Sequence, residues 1–535
     1  MVGMFEDYPH ARAWDEMLAP DGTPRQGHSA IVRTLATLSV SELVARAETL
    51  AGSYVDQGVT FDHAGVEKAF PLDVIPRIIR AEEWEVIEAG VQQRVRALEA
   101  LLDDVYAASS DAPRAVRAGI IPWKLIASSE HFHREVAGIA PSNGARIQVA
   151  GVDLVRDESG TLRVLEDNVR VPSGVSYVIS NRHAMTNVIP EAFVNERIRP
   201  VDSYPSMLLA ALRAAAPAGV SDPTVVVLTP GVYNSAYYEH SLLARTMGVE
   251  LVEGRDLFVS GGNVRMRTTQ GDRQVDVIYR RVDDEFLDPV HFRPDSALGC
   301  PGLIQSLRAG RVSVANAIGN GVADDKLMYS YIPELTRFYL DEDPILPNVD
   351  TFRPIDPAAR RHILDHLDQM VVKPVAGSGG KGIVIGSRAT GAQLDEVRRC
   401  LLDSPRDWIA QPEVQLSTVP TLVDGRVRPR HVDLRPFAVN DGERVRVLPG
   451  GLTRVALPEG ELIVNSSQGG GSKDTWVLAS ARQASISSVD DAEPPTEVVV
   501  LSPPPVFRDD QARSQQQQQE QQQQSGGDRR AESDR

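Results

Sequence analysis

Between residues 78 and 107 apolar side chains recur at steps of three and four: Trp84, Ile87, Val91, Val95, Leu98, Leu102 and Val105. That spacing keeps them on one face of a helix and predicts an amphipathic helix packed on a core. The first 145 residues as a whole read as mostly helical after a loop-rich start, and no chemistry is assigned to them. From residue 146 the period changes. RIQVAGVDLV and LRVLED are short, rich in β-branched residues and separated by the turn sequence DESG, which predicts two strands. TVVVLTPG reads as a buried strand, HSLLARTMG as a helix, and VELVEG and VDVIYRRV as further strands. That βαβ rhythm predicts a parallel sheet. Beyond residue 324, QMVVKPVAGSGGKGIVIG reads as two strands around a glycine-rich loop, and WIAQPEV, HVDLRPFAV and ELIVNSS as further strands. After about residue 480 the pattern stops. A Pro- and Ser-rich stretch runs into a Gln-rich tail that cannot bury a core and is expected to be disordered.

Composition narrows the classes of function. A chain of 535 residues is expected to form several domains. Its net charge of −17 excludes an overall basic footprint for nucleic acid, and it obliges any nucleotide site to supply its own cations. Two cysteines, Cys300 and Cys400, exclude a disulfide framework or a cysteine-rich zinc module. The start lacks a basic segment followed by an apolar run, and no apolar stretch is long enough to span a bilayer. A cytoplasmic protein without membrane contact is expected, with the Gln-rich tail as the segment that would meet a protein partner.

Four segments carry candidate chemistry. In MVVKPVAGSGGKGIVIG, Lys373 ends a strand and is followed by Gly377, Ser378, Gly379, Gly380, Lys381 and Gly382. Glycines let backbone N–H groups approach phosphate oxygens, and a lysine adds a point charge for the same oxygens. The spacing is not that of a P-loop, and a plain glycine-rich hairpin turn is the alternative. In the strands before residue 170, Asp153 lies on one strand. Glu166 and Asn168 lie two apart on the next, so they share a face. Three hard oxygen donors there suit Mg²⁺. A solvated strand edge is the alternative. The third segment carries Arg430, Asp433, Arg435 and Arg454, then Asn465, glycines at 469–471 and Lys473. Clustered arginines can neutralise a transferring phosphoryl group, or they pair with surface acids. The fourth, YRRVDDEFLDP, ends a predicted strand, where α/β sheets bind ligands. Arg281 is expected there as a contact for an acceptor substrate or phosphate, with a salt-bridged loop as the alternative. His131, His133 and His431 lack metal-ligand spacing and are read as structural.

Taken together, these segments resemble the ATP-grasp ligases, in rotated order. In that family a lysine is followed by a V-V-K-P strand and glycine loop, a hinge acid, D-[IL]-R with a distal arginine, and an asparagine near glycines. Last come G-V-D and E-x-N. Here Lys326 resembles the first lysine and Lys373 the second. Gln411 and Glu413 of IAQPEV resemble the hinge that reads adenine, Asp433-Leu434-Arg435 with Arg454 the arginine pair, and Asn465 the distal asparagine. The last step, GVDL…VLEDN, instead comes first, at 151–168. The chain therefore resembles the circularly permuted ATP-grasp family and is similar to the synthetase half of glutathionylspermidine synthetase. The resemblance covers roughly residues 50–480. That enzyme has an arginine two residues before its first metal aspartate. Here Gly151 stands at that position, so its substrate is not carried over.

The resemblance implies an α/β protein with a circularly permuted ATP-grasp fold. The expected parts are an N-terminal mostly helical region (1–145), a segment with metal-ligand strands (146–200), a Rossmann-like α/β insertion (201–320), a nucleotide-binding segment (321–480) and the disordered tail (481–535). It also implies ATP and Mg²⁺ as cofactors, and a ligase that phosphorylates an acid to an acyl phosphate, which an amine or thiol then attacks. Asp153, Glu166 and Asn168 would hold the metal, and Arg435, Arg454, Arg281 and Asn465 would act on transferring or substrate groups. Lys326, Lys373, residues 377–382, Gln411 and Glu413 would hold the nucleotide. A kinase releasing a phosphorylated product, or a nucleotide-binding scaffold without turnover, would use the same parts.

Overall fold

The apolar run expected as a helix forms Ala81–Val105, with Glu82 and Glu83 in its first turn, where the helix dipole favours acids. All seven of its periodic apolar residues are buried, so the stripe is core, as the spacing requires. The computed structural model describes residues 5, 7–9, 13–63, 66–109, 111–376, 382–462, 464 and 470–480. Gly377, Ser378, Gly379, Gly380, Lys381 and Asn465 lie outside the described residues, as does the Gln-rich tail.

The helix packs on a six-stranded sheet. Its order is Leu72–Ile79, Gly471–Val477, Val445–Val455, Arg435–Asn440, Val149–Arg156 and Leu162–Asn168. All neighbours are antiparallel except Leu72–Ile79, which runs parallel to Gly471–Val477. That strand lies within the stretch read as mostly helical. It is buried on both faces and so shows no alternation, and Pro76 at its centre argues against a strand by local rules. In the sheet's middle, Phe437 pairs with Gly151. Two stretches far apart in the chain thus become neighbouring strands.

A second sheet is all parallel, in the order Ser313–Ala315, Val277–Arg280, Val225–Leu228 and Glu250–Val252. The helix Tyr237–Met247 connects two of its strands, which matches the βαβ rhythm. A third, small antiparallel sheet has Met370–Pro374 between Val384–Ile385 and Trp408–Pro412. The helices Pro357–Asp365 and Gly391–Asp403 cover it, burying Ile363, Val372, Val397 and Leu401 in a core of their own. The stretch ELIVNSS was expected to be a strand. Its described residues, 461, 462 and 464, form none. Val464 instead packs with Val155, Val349 and Leu416.

Candidate functional site

The hairpin formed by Val149–Arg156 and Leu162–Asn168 places Asp153 directly opposite Glu166, and Gly151 opposite Asn168. A Cβ on Gly151 would lie 3.1 Å from Cδ of Arg435 and 3.3 Å from Pro172. The missing side chain is therefore the space through which Arg435 reaches Asp153. A long residue at 151 would evict it.

Asp153 is fully buried. Arg435 grips it with both prongs, Nε to Oδ1 at 2.5 Å and Nη2 to Oδ2 at 2.8 Å, and Arg454 Nη2 adds a third bond to Oδ2 at 2.6 Å. Arg454 also holds Asp433, its Nε lying 2.9 Å from Oδ2. Bidentate guanidinium–carboxylate pairs are the arrangement in which buried charge is tolerated. Burial pushes the Asp153 carboxyl up in pKa, but Arg435 and then Arg454 outweigh it and hold the group well below the usual carboxylate range. These arginines are thus neither surface pairs nor free. They form an interior quartet with two aspartates.

This quartet encloses the aspartate expected to hold the metal. Asp153, expected as a metal ligand, has both oxygens engaged by guanidinium groups. Glu166 and Asn168 remain as the accessible oxygen donors of the hairpin. Glu166 keeps 31% of its side chain exposed and meets Arg435 only at 3.8 Å. Asn168 has a buried Nδ2 with no hydrogen-bond partner among the described residues. The two ends of an amide are interchangeable by a flip, so this orphan suits either a phosphate oxygen or, turned over, a cation. Among the described residues no three His, Cys, Asp or Glu side chains are arranged as a metal cage. The donor set fits Mg²⁺, which takes one or two protein carboxylates and fills its shell with phosphate and water.

Across the cleft stands the small sheet. Lys373 points from Met370–Pro374 towards Glu166, and its pKa is pushed down to about 8. Burial is the main cause and the charge of Lys326 adds to it, while Glu166 and Asp153 oppose it. Glu166 and Lys373 therefore face each other, although they come from separate parts of the chain. Lys326 begins the short helix Lys326–Tyr329, whose N-cap Asp325 accepts hydrogen bonds from the N–H of Leu327 at 2.9 Å and of Met328 at 3.3 Å. Gln411 is buried and donates to Thr351 Oγ1 at 2.9 Å. Glu413 accepts from Ser387 Oγ at 2.6 Å.

One cleft of about 450 Å³ is lined by Asp153, Glu166, Asn168, Lys326, Lys373, Gln411, Glu413, Arg435 and Arg454. At the small-sheet end its wall is apolar, with Val371, Ile383, Ile385, Val349 and Leu416. The cleft thus runs from an apolar slot to a strongly charged end. Gly382, at φ +72°, lies against Pro374 on the cleft wall, so the glycine run ends beside this space.

Arg281 does not line the cleft. It is buried behind the wall, paired with Glu239 at 2.9 Å and donating to the carbonyl of Pro172 at 2.8 Å. It directly follows the buried strand Val277–Arg280 and turns inward. Glu239 reaches the cleft in its place and accepts hydrogen bonds from Gly174 N–H at 2.7 Å and Ser176 N–H at 3.1 Å. Lys473 is likewise structural. It is fully buried, pairs with Asp73 and donates to the carbonyls of Ile75 and Pro420. Sequence reasoning missed Asp324, which pairs with Arg170 at 2.7 Å on the cleft wall. The strand ends at Asn168, so the alternation that grouped Glu166 with Asn168 gives no rule for Arg170.

The sequence profile of the family described as circularly permuted ATP-grasp type 2 matches residues 76–456. An uncharacterized protein of Mycobacterium tuberculosis (strain ATCC 25618 / H37Rv) is 56% identical over 90% of this chain and 87% of its own length. A Frankia casuarinae protein, whose given name proposes a glutamate–cysteine ligase, is 45% identical. That match takes in 87% of this chain but only 53% of the longer relative. Among solved structures, a glutathione synthetase-like effector from Globodera pallida, in apo form, superposes with a TM-score of 0.54. The match covers 82% of this chain and 98% of that one, at 9% identity, so the likeness is one of fold.

Proposed function

This chain belongs to the circularly permuted ATP-grasp type 2 family, and from that premise we propose that it is an ATP- and Mg²⁺-dependent ligase joining a carboxylic acid to an amine. The observation that carries this reading is the meeting of Glu166 and Asn168 with Lys373 and Lys326 across one cleft that has an apolar slot at its far end. The slot takes the adenine, with Gln411 and Glu413 at its edge. Lys373 and Lys326 supply charge to the phosphates, and the glycine-rich run from 377 to 382 is assigned to the same oxygens. Glu166 and Asn168 would hold magnesium, which would supply charge neutralisation to the phosphates.

A substrate carboxylate oxygen attacks the γ-phosphorus, the bond to the bridging oxygen breaks, and ADP leaves. The amine nitrogen then attacks the acyl carbon, phosphate departs with the bonding electrons, and the nitrogen gives up a proton. The protein's part in both steps is positioning and charge. Arg435 and Arg454 present fixed guanidinium charge to the transferring oxygens. Asp153 and Asp433 act as positioning residues that hold the two forks. No nucleophilic side chain is required for either step. The name given to the Frankia relative is that of a reaction in the same class.

The test is hydroxamate trapping. The purified chain is incubated with ATP, MgCl₂, hydroxylamine and a panel of amino acids and peptides. A ligase gives acid-dependent hydroxamate in step with ADP. ADP accompanied by a stable phosphorylated product, with no hydroxamate, would establish a kinase instead.

A further inference from the structure

The strand that carries Glu166 and Asn168 ends at Asn168, and Arg170 stands just beyond it on the wall of the cleft. Asp324 holds it there. One oxygen of Asp324 accepts from the N–H of Val169 at 2.5 Å, and the other accepts from Nε of Arg170 at 2.7 Å. Asn316 and Asn320 fasten the same turn, their Nδ2 groups donating to the carbonyl of Val169 at 2.9 and 3.1 Å. Asp324 ends the short helix Gly321–Asp324, and Lys326 begins the next one. Arg170 is thus built onto both pieces of chain that bear the phosphate-end ligands, following Asn168 on one and anchored just before Lys326 on the other. A glycine makes room for it. A Cβ on Gly321 would lie 2.7 Å from Cδ of Arg170 and 2.6 Å from His131, so a larger residue there would displace one of them.

The guanidinium carries more donors than its anchor uses. Nε is spent on Asp324, but among the described residues neither Nη1 nor Nη2 makes a hydrogen bond, and 26% of the side chain stays exposed. The other arginines of the cleft differ in this. Arg435 closes both prongs on Asp153, and Arg454 is divided between Asp433 and Asp153. Arg170 cannot close on its aspartate in the same way, because the second oxygen of Asp324 is taken by the N–H of Val169. Its place along the cleft is also defined. Arg170 borders a second cavity, whose wall includes His131 and Asp283 but, among the described residues, none of those that form the apolar slot. It therefore stands away from the slot, on the side of the cleft where the charged groups gather.

We propose that Arg170 is a catalytic residue that binds the γ-phosphate of ATP through Nη1 and Nη2, and that Asp324 is the positioning residue that fixes it beside Asn168. The proposal rests on the ligase reading, in which the adenine fills the slot and the terminal phosphate reaches furthest from it. Two N–H groups on one edge of a guanidinium match two oxygens of a phosphoryl group. Their charge acts where negative charge spreads over the transferring oxygens. Asp324 orders the fork before the nucleotide arrives, so less conformational freedom is lost when the phosphate binds.

The test compares ADP with a non-hydrolysable, imido-bridged ATP analogue, each titrated calorimetrically into the full chain at pH 7 with saturating MgCl₂. The two ligands differ by the terminal phosphoryl group. Wild-type protein is expected to bind the analogue at least roughly tenfold tighter than ADP. Arg170→Met combined with Asp324→Asn removes both charges together, and the asparagine oxygen can still accept from the N–H of Val169, so no buried charge is stranded. This double variant should lose roughly tenfold of affinity for the analogue while its affinity for ADP stays within about twofold of wild type. Asp324→Asn alone keeps the arginine without its anchor. It should show a smaller loss, again confined to the analogue, and it serves as the second variant should the double one fail to fold. An equal loss for both nucleotides is what a purely structural pair would give, and it would overturn the proposal. So would variants that keep the full preference for the analogue, or wild-type protein that has none. Wild-type protein that binds neither nucleotide would sink the ligase reading itself, whereas tight binding of both with unaltered preference in the variants would sink only the assignment of Arg170.

Discussion

The depressed pKa of Lys373 makes nucleotide binding pH-dependent in a way that can be worked out in advance. Unliganded, this lysine loses its proton at about pH 8. A bound triphosphate favours the charged form, so binding above that pH must take up a proton, whereas well below it the proton is already in place. Affinity for a non-hydrolysable ATP analogue should therefore be flat from pH 7 to just under 8 and then fall. One pH unit above the midpoint about a tenth of the lysine is still charged, which weakens binding roughly tenfold, or ~1.4 kcal/mol. The assay is a fluorescence or calorimetric titration from pH 7 to 9.5 at fixed Mg²⁺. Lys373→Arg should abolish the fall, because a guanidinium stays charged across that range. Lys373→Met should bind weakly at every pH, with no breakpoint near 8. A wild-type profile that stays flat to pH 9.5, or an unaltered slope in Lys373→Arg, would refute the placement of this ammonium against the phosphates.

Other predictions address the remaining parts of the site. The same depression gives Lys373→Met an opposite effect on stability. The unfolded chain binds more protons than the folded one between about pH 8 and the ordinary lysine value of 10.5, so the buried charge costs stability below pH 8 and the cost fades as pH rises through that window. The methionine variant should be more stable than wild type at pH 7, by up to about 2–3 kcal/mol in urea denaturation, and no more stable above about pH 10.5. Asp153→Asn should destabilise by about 3–5 kcal/mol, because it leaves Arg435 and Arg454 buried with half of their counter-charge removed. Glu166→Ala should do the reverse. The side chain is partly exposed and weakly paired, so the denaturation midpoint should move by less than about 1 kcal/mol while Mg²⁺-dependent ADP release drops ~100-fold. Glu239→Gln should cost about 3–5 kcal/mol by stranding the buried Arg281, a loss that Arg281→Met in the same chain should partly restore.

Much of the local structure was legible without coordinates. The helix over Trp84–Val105 follows from steps of three and four, and the shared face of Glu166 and Asn168 follows from the period of two in a strand. The hairpin around the glycine run follows from β-branched residues flanking glycines. In each case the physics is contained within a dozen residues. Where local signals conflicted, the reading erred. Leu72–Ile79 has a proline at its centre and no alternation, yet it is a strand, pairing with Gly471–Val477 at the edge of the sheet with a register shift around Pro76. The stretch around Val464 has the composition of a strand, but its described residues pair with none.

The sequence by itself therefore determined which side chains could serve a nucleotide site: acids and an amide two apart, a lysine before glycines, and arginines on strands. Only the tertiary structure decided their assignments. It brought Glu166 against Lys373, gave both oxygens of Asp153 to Arg435 and Arg454, turned Arg281 away from solvent and left Asp283 facing a cavity. Periodicity specifies which residues share a face. Whether that face looks into a cleft, a core or another charge depends on chain segments hundreds of residues away, and their packing energy is not written in any local pattern.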